Sequence, residues 1–253
     1  MTPQTPVAGR YLSSLRGDAA RIAELLPQAV DRPVPGCPGW VAGDVVRHLA
    51  QVYRHKAESV RRGSRAPDLP LPVEPRAADA LADELRESLA ELLTVLSGDP
   101  SRAAWTWWDR DPSVGFWQRR MAQETLIHRV DVEQAAGIES ALDPELALDG
   151  VDEVLSAFLE VWLPIDGPDS GVPADLTAHV SVETGERAWD VRVAGTRATV
   201  HRGAGGGAPA RLAGPPDALL LWAWGRGGPD RLSVRGDESQ VAALRRALEA
   251  ATQ

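Results

Sequence analysis

The stretch WQRRMAQETLIHRVDVEQAAG, residues 117–137, predicts one helix whose apolar seam is interrupted by charge. At ~100° per residue, Trp117, Met121, Glu124, Ile127, His128, Asp131, Val132 and Ala135 fall within a stripe roughly 140° wide. Arg119, Arg129 and Glu133 lie on the other side. Two carboxylates and an imidazole therefore face the same interior as Trp, Met and Ile. Burying such groups without partners is costly, so a metal ion, a polar network or water in a cleft must compensate them.

Working outward, WVAGDVVRHLAQVYRHKAES predicts another helix over about 41–62 with the same anomaly. Val41, Val45, His48, Val52, His55 and Ser59 share one stripe, and Asp44 precedes His48 by a turn. A helix over about 8–31 carries Leu12, Leu15, Ala19, Ile22, Leu25 and Leu26 at three-to-four spacing. Pro33, Pro35 and Pro38 end it. SRAPDLPLPVEP closes the second helix, and Leu81, Leu85, Leu89, Leu92 and Leu96 mark a third over about 76–97. Four helices of roughly 20 residues with short connections predict a four-helix bundle.

The pattern changes after GIESALD. DPELALDGVDEVLSAFLEVWLP reads as a helix of about 18 residues, and DLTAHVSVE, AWDVRVAG and TRATVHRG then alternate like strands. The glycine run GAGGGAPA, residues 203–210, lacks the GK[ST] ending of a phosphate loop and reads as a hairpin connection. DALLLWAWGRGG predicts a short helix, DRLSVRGD a strand and SQVAALRRALEAAT a terminal helix. The expected fold class is α+β, with a helical bundle over 1–140 and a smaller α+β domain over 141–253.

Bulk properties narrow the function. A chain of 253 residues suits two domains. Its net charge of -9, with no offsetting basic stripe, argues against a nucleic-acid partner. The pairs Arg61–Arg62, Arg119–Arg120 and Arg245–Arg246 are expected on solvated helix faces. A single cysteine excludes an intrachain disulfide framework and any multi-cysteine metal site, so a metal must be held by N and O donors. No signal-peptide layout and no long apolar run are visible, so the expected location is cytoplasmic, away from the membrane.

Glu124 and His128, at i and i+4, sit ~40° apart and can point at one ion, with His48 from the facing helix as a third ligand. Three N/O donors with open positions resemble catalytic rather than structural zinc. The same spacing also suits a simple hydrogen-bonded pair. E-x-x-x-H differs from the E-x-x-H of carboxylate-bridged di-iron bundles, which argues against that centre.

Two motifs carry a family resemblance. PGCPGWVAGDVVRHL and, further on, RRMAQETLIHRVDVEQAAG resemble the N-terminal domain of the mycothiol-dependent maleylpyruvate isomerase family, a DinB-like bundle. LDPELALDGVDEVL and LLLWAWGRGGPDRLSVRGD are similar to that family's C-terminal domain. The resemblance implies a divalent metal, taken as zinc, on His48, Glu124 and His128. It implies mycothiol as thiol cosubstrate, and Arg226 as the second domain's catalytic cation for an anionic substrate; the same Arg226 could instead cap the end of its helix. In such an isomerase the activated thiolate adds to a conjugated double bond, the new single bond rotates, and elimination returns the trans isomer. The same thiolate could transfer to an electrophile. A hydrolase using metal-bound water and a non-catalytic binding protein are the alternatives. A family hydroxyl that would cap the second helix is replaced here by Val41. The Arg-, Ala-, Gly- and Pro-rich composition, poor in Lys, is similar to that of high-GC actinobacterial proteins. Small-molecule partners and a monomer or weak homodimer are expected.

Among the remaining candidates, Asp131 could orient His128 and Asp44 could orient His48. His55 reads as a core residue or a proton shuttle, and His179 and His201 as structural. Cys37 and Trp40 are expected to pack the interhelix loop. Trp222 and Trp224 fill core or wall a pocket. Trp105, Trp107 and Trp108 are expected to form a lid over the site or to anchor the two domains.

Overall fold

Four helices make up the first part of the chain: α1 (Ala8–Ala29), α2 (Ala42–Arg62), α3 (Ala78–Leu96) and α4 (Val114–Ala136). Both α1 and α2 pack against α3 and α4, closing a bundle around Leu15, Ile22, Leu49, Tyr53, Leu85 and Trp117. The computed structural model describes residues 8–68, 77–166 and 171–252. They divide into two units, Met1–Ala141 and Leu142–Gln253. Most of the proline-rich connection expected to follow the second helix, residues 69–76, lies outside the described residues, as does part of the PIDGPDSGVP connection.

Helix ends follow their local chemistry. Val41 offers no cap acceptor, and the Asp44 carboxylate, in the first turn of α2, instead accepts the Val41 N–H at 2.9 Å. Gly63 closes α2 in the left-handed region at φ 67°. Helix α4 begins at Val114, ahead of Trp117, because Ser113 Oγ accepts the Phe116 N–H at 3.2 Å. At its far end Gly137 adopts φ 76°, and the Ile138 N–H reaches Glu133 O at 2.8 Å.

Helix α4 is buried on nearly every face, including Arg120, Arg129 and Glu133. The side opposite the Glu124 stripe faces α1, where Arg129 Nε lies 2.8 Å from Asp18 and Arg129 Nη1 lies 2.7 Å from Glu133. The expectation that the 119–120 pair lies on a solvated face is corrected for Arg120, which is 3% exposed. An amphipathic reading assumes one wet face, and a helix flanked by two neighbours has little of one.

In the second unit, α5 (Pro144–Glu153) starts on Asp143, whose carboxylate accepts the Glu145 and Leu146 N–H groups. It continues as a π-helical segment, Val154–Trp162, and then α6 (Leu163–Asp166). The widened turns replace the uniform α-helix expected from the sequence, with the Leu163 N–H bonded to Phe158 O. Five strands follow: β1 (Thr177–Thr184), β2 (Arg187–Ala194), β3 (Arg197–Arg202), β4 (Ala210–Ala213) and β5 (Ser233–Gly236). They form one sheet in the order β3-β2-β1-β4-β5. Buried Val180, Val182, Val191 and Leu212 supply its core, with α8 (Glu238–Thr252) packed on β1 and β4. Helix α7 (Pro216–Ala223) packs on α5.

The glycine run is not a hairpin. β4 pairs in parallel with β1, so residues 203–209 carry the chain from the β3 edge past β2 and β1. Glycine is required at 205, where the Asp190 carboxyl fills the space of a Cβ.

Candidate metal centre

The α2 and α4 stripes meet at three side chains. His48 Nε2 lies 3.1 Å from Glu124 Oε1, and His128 Nε2 lies 3.5 Å from the same oxygen. One donor atom from each residue falls within 4.8 Å of the others. The two imidazoles meet edge to face at 5.0 Å, and Trp40 packs on His48 at 5.3 Å. Two imidazole nitrogens converging on one carboxylate oxygen match the donor set of a divalent N/O site.

The neighbours fix each donor. Asp131, fully buried, meets His128 Nδ1 at 2.9 Å, which turns Nε2 toward Glu124. This is the orienting contact that the spacing suggested. Asp44 takes no such part: its carboxylate holds the Val41 N–H and Arg47. The Arg120 guanidinium binds Glu124 Oε2 at 2.6 Å, leaving Oε1 to the histidines. Burial alone would raise the Glu124 pKa, but Arg120 and the two histidines hold it well below the usual carboxylate range. Burial opposes charge on His128 too, yet its bonds to Asp131 and Glu124 push its pKa up to about 9. The centre is thus a preformed charged network, with Glu124 ionised and His128 protonated at neutral pH until a cation displaces the proton.

Sequence reasoning missed two groups. Arg120 lies one turn before Glu124 on the same face, a spacing that was visible but read as surface. Cys37 Sγ lies 3.6 Å from Asp131 Oδ2, so the loop before α2 reaches the site. Cys37, His128 and Asp131 form a second group with donor atoms within 4.8 Å. It shares His128 with the first, but Asp131 already holds His128 Nδ1, so the donors of the first group are the better disposed.

His55 binds Ala66 O through Nε2 at 3.0 Å and is buried, matching a core role. His179 pairs with Asp190 at 2.6 Å in the sheet, and His201 is exposed. The tryptophan loop packs on α4: Trp105 stacks on Trp117 at 6.2 Å, and its carbonyl accepts the Trp117 indole N–H at 2.6 Å. Trp107 meets Phe116 edge to face. Arg226 belongs to the second unit, where it is 8% exposed and Nη1 donates to Trp224 O at 2.6 Å. Trp222 and Trp224 are buried there.

Comparison with known proteins follows these two units. The mycothiol maleylpyruvate isomerase N-terminal domain matches residues 13–133, and the MDMPI C-terminal domain matches residues 145–243. None of the curated proteins is a significant match. Among solved structures, the mycothiol-dependent maleylpyruvate isomerase aligns with a TM-score of 0.57 at 15% identity, over 92% of this chain and 95% of that one. A histidine-to-alanine variant of it aligns with a TM-score of 0.59 at 14% identity, with the same coverage. At such identity the structures speak for the fold alone, whereas the two domain matches together span most of the sequence. The chain belongs to the mycothiol maleylpyruvate isomerase family.

Proposed function

We propose that this protein is a divalent-metal-dependent enzyme that activates a low-molecular-weight thiol, mycothiol by family, for isomerisation of a small electrophile or S-transfer to it. The observation that carries the reading is the convergence of His48 Nε2 and His128 Nε2 on Glu124 Oε1. His48, Glu124 and His128 would hold the ion, zinc being the expected one, in a DinB-like bundle. Bound there, a divalent cation lowers the pKa of a ligated thiol from about 8.5, so that thiolate is present at neutral pH.

The chain's own residues prepare that site. Arg120 keeps Glu124 ionised and occupies its second oxygen. Asp131 holds the His128 ring in the orientation that presents Nε2. The Trp40 ring packs on His48 at a tilt, its centroid 5.3 Å away. No cysteine nucleophile is needed from the protein. Arg226 is proposed as the second unit's contribution to an anionic substrate, because guanidinium suits bidentate carboxylate binding. The domain boundary near 140 is likewise proposed as a functional division between metal-bearing bundle and α+β domain.

The test combines metal analysis, calorimetry with mycothiol, and a screen of unsaturated acids and epoxides with and without the thiol. Near-stoichiometric divalent metal and thiol-dependent turnover are expected. No heat on adding mycothiol to metal-loaded protein would move the assignment to a hydrolase. Absence of metal, with Glu124→Ala leaving stability unchanged, would favour a binding protein with a vestigial site.

A further inference from the structure

Lys56 is the only lysine among the 27 lysine and arginine residues of the chain. The sequence uses arginine at every other such position, so this ammonium is an exception to its own compositional bias. It sits on α2 two turns beyond His48, on the part of the helix that packs against α4. Its exposure is intermediate. Nζ lies 5.5 Å above the Trp117 ring and 3.1 Å from His55 Nδ1. Neither neighbour is an anion.

Four charges act on it, two of them, Glu124 and Arg120, from the candidate centre. Glu124 and Asp68 attract the ammonium, while Arg120 and Arg65 repel it. Glu124 is already claimed by Arg120, His48 and His128. Burial therefore disfavours the Lys56 charge, and its pKa is lowered from the ordinary lysine value. An ammonium that is partly desolvated and lacks a dedicated carboxylate carries a cost that an incoming anion would offset. Charge balance points the same way. Arg120 and Lys56 offset Glu124 and Asp131, so a divalent cation leaves two positive charges in excess. A thiolate accounts for one of them and an anionic group on the second reactant for the other.

We propose that Lys56 is a substrate-binding residue of this site, its ammonium receiving a carboxylate of the electrophile beside the metal-held thiol. The inference rests on the metal–thiol reading and adds the residue that selects anionic over neutral electrophiles. A lysine suits the place better than an arginine: its compact ammonium can rest over the Trp117 face and still turn its three donors toward an incoming oxygen.

Because the chain has one lysine, protein labelled with 13C at lysine Cε gives a single side-chain resonance that reports this amine directly. The metal-loaded protein is titrated with succinate, a dicarboxylate without an electrophilic double bond, in the absence of thiol. The resonance is expected to shift saturably, and the lysine pKa to rise in the bound state. Lys56→Met is expected to keep its metal and bind succinate at least tenfold more weakly, with Lys56→Arg recovering part of the affinity. A resonance that stays put up to high succinate, or equal affinity in the metal-loaded Lys56→Met variant, overturns the proposal. Failure of the protein to hold metal at all would instead overturn the reading beneath it, and metal analysis of the same samples separates the two.

Discussion

His128 holds opposing demands in one ring. Asp131 and Glu124 favour its protonated form, while a metal needs Nε2 free of its proton. Cation binding should therefore release a proton from His128, and apparent affinity should rise about tenfold per pH unit from near 7 until its pKa of about 9 is passed. Calorimetry in buffers of different ionisation enthalpy counts that proton. The metal-free protein should show the opposite trend. A folded-state pKa raised from 6.5 to about 9 contributes stability that is fully present below 6.5 and lost as pH climbs through 9. Urea unfolding of metal-free protein across that range should show the decline. Asp131→Asn keeps the shape but can turn its N–H toward His128 Nδ1, and metal affinity is expected to fall about 10–100-fold by competition with a chelator. His48→Ala and His128→Ala, each lacking one donor, should lose both metal and turnover; retained metal stoichiometry in either would refute the ligand assignment.

At the scale of elements, what the sequence disclosed follows from how local each signal is. The helices of the bundle were legible because leucine and alanine spacing alone marks a buried stripe, and the Glu124–His128 pair because one turn of helix sets their distance. Partnership across helices was less so. Arg120 and Arg119 are adjacent in sequence, yet only the place of α4 in the bundle decides that Arg120 is buried and bonded to Glu124. Cys37 reaches Asp131 through the course of a proline-bounded loop, which no periodicity encodes. The parallel strand β4, four residues long, was invisible because its pairing with β1 depends on a crossover rather than a turn. Caps, in contrast, are local and testable. Ser113→Ala removes the acceptor for Phe116 N–H at the start of α4 and should cost about 1 kcal/mol in urea unfolding. Glu124 and His128 lie further along the helix, so metal stoichiometry should be unchanged.

For the whole molecule, a family fold at low identity places little constraint on which reaction is run, because pockets change faster than scaffolds. The net charge of -9 is not spread evenly: Arg120 and Lys56 lie near Glu124, so the candidate centre carries cations as well as carboxylates. Among the described residues no helix is long and apolar enough to cross a membrane. The donors of the candidate centre come from α2 and α4, so an ion there would reinforce the hydrogen bonds and packing that already join the two helices. Metal bound to the folded bundle and not to the unfolded chain must stabilise it, by about 2.7 kcal/mol at a free concentration one hundred times the dissociation constant. Thermal unfolding with increasing zinc should therefore move upward with the logarithm of free metal, and chelation should return it to the metal-free midpoint. In Glu124→Ala the loss of the shared oxygen leaves only two imidazoles to hold an ion, so the midpoint should no longer respond to zinc. A zinc response that survives in that variant would mean that the ion stabilises the protein from somewhere other than the α2–α4 seam.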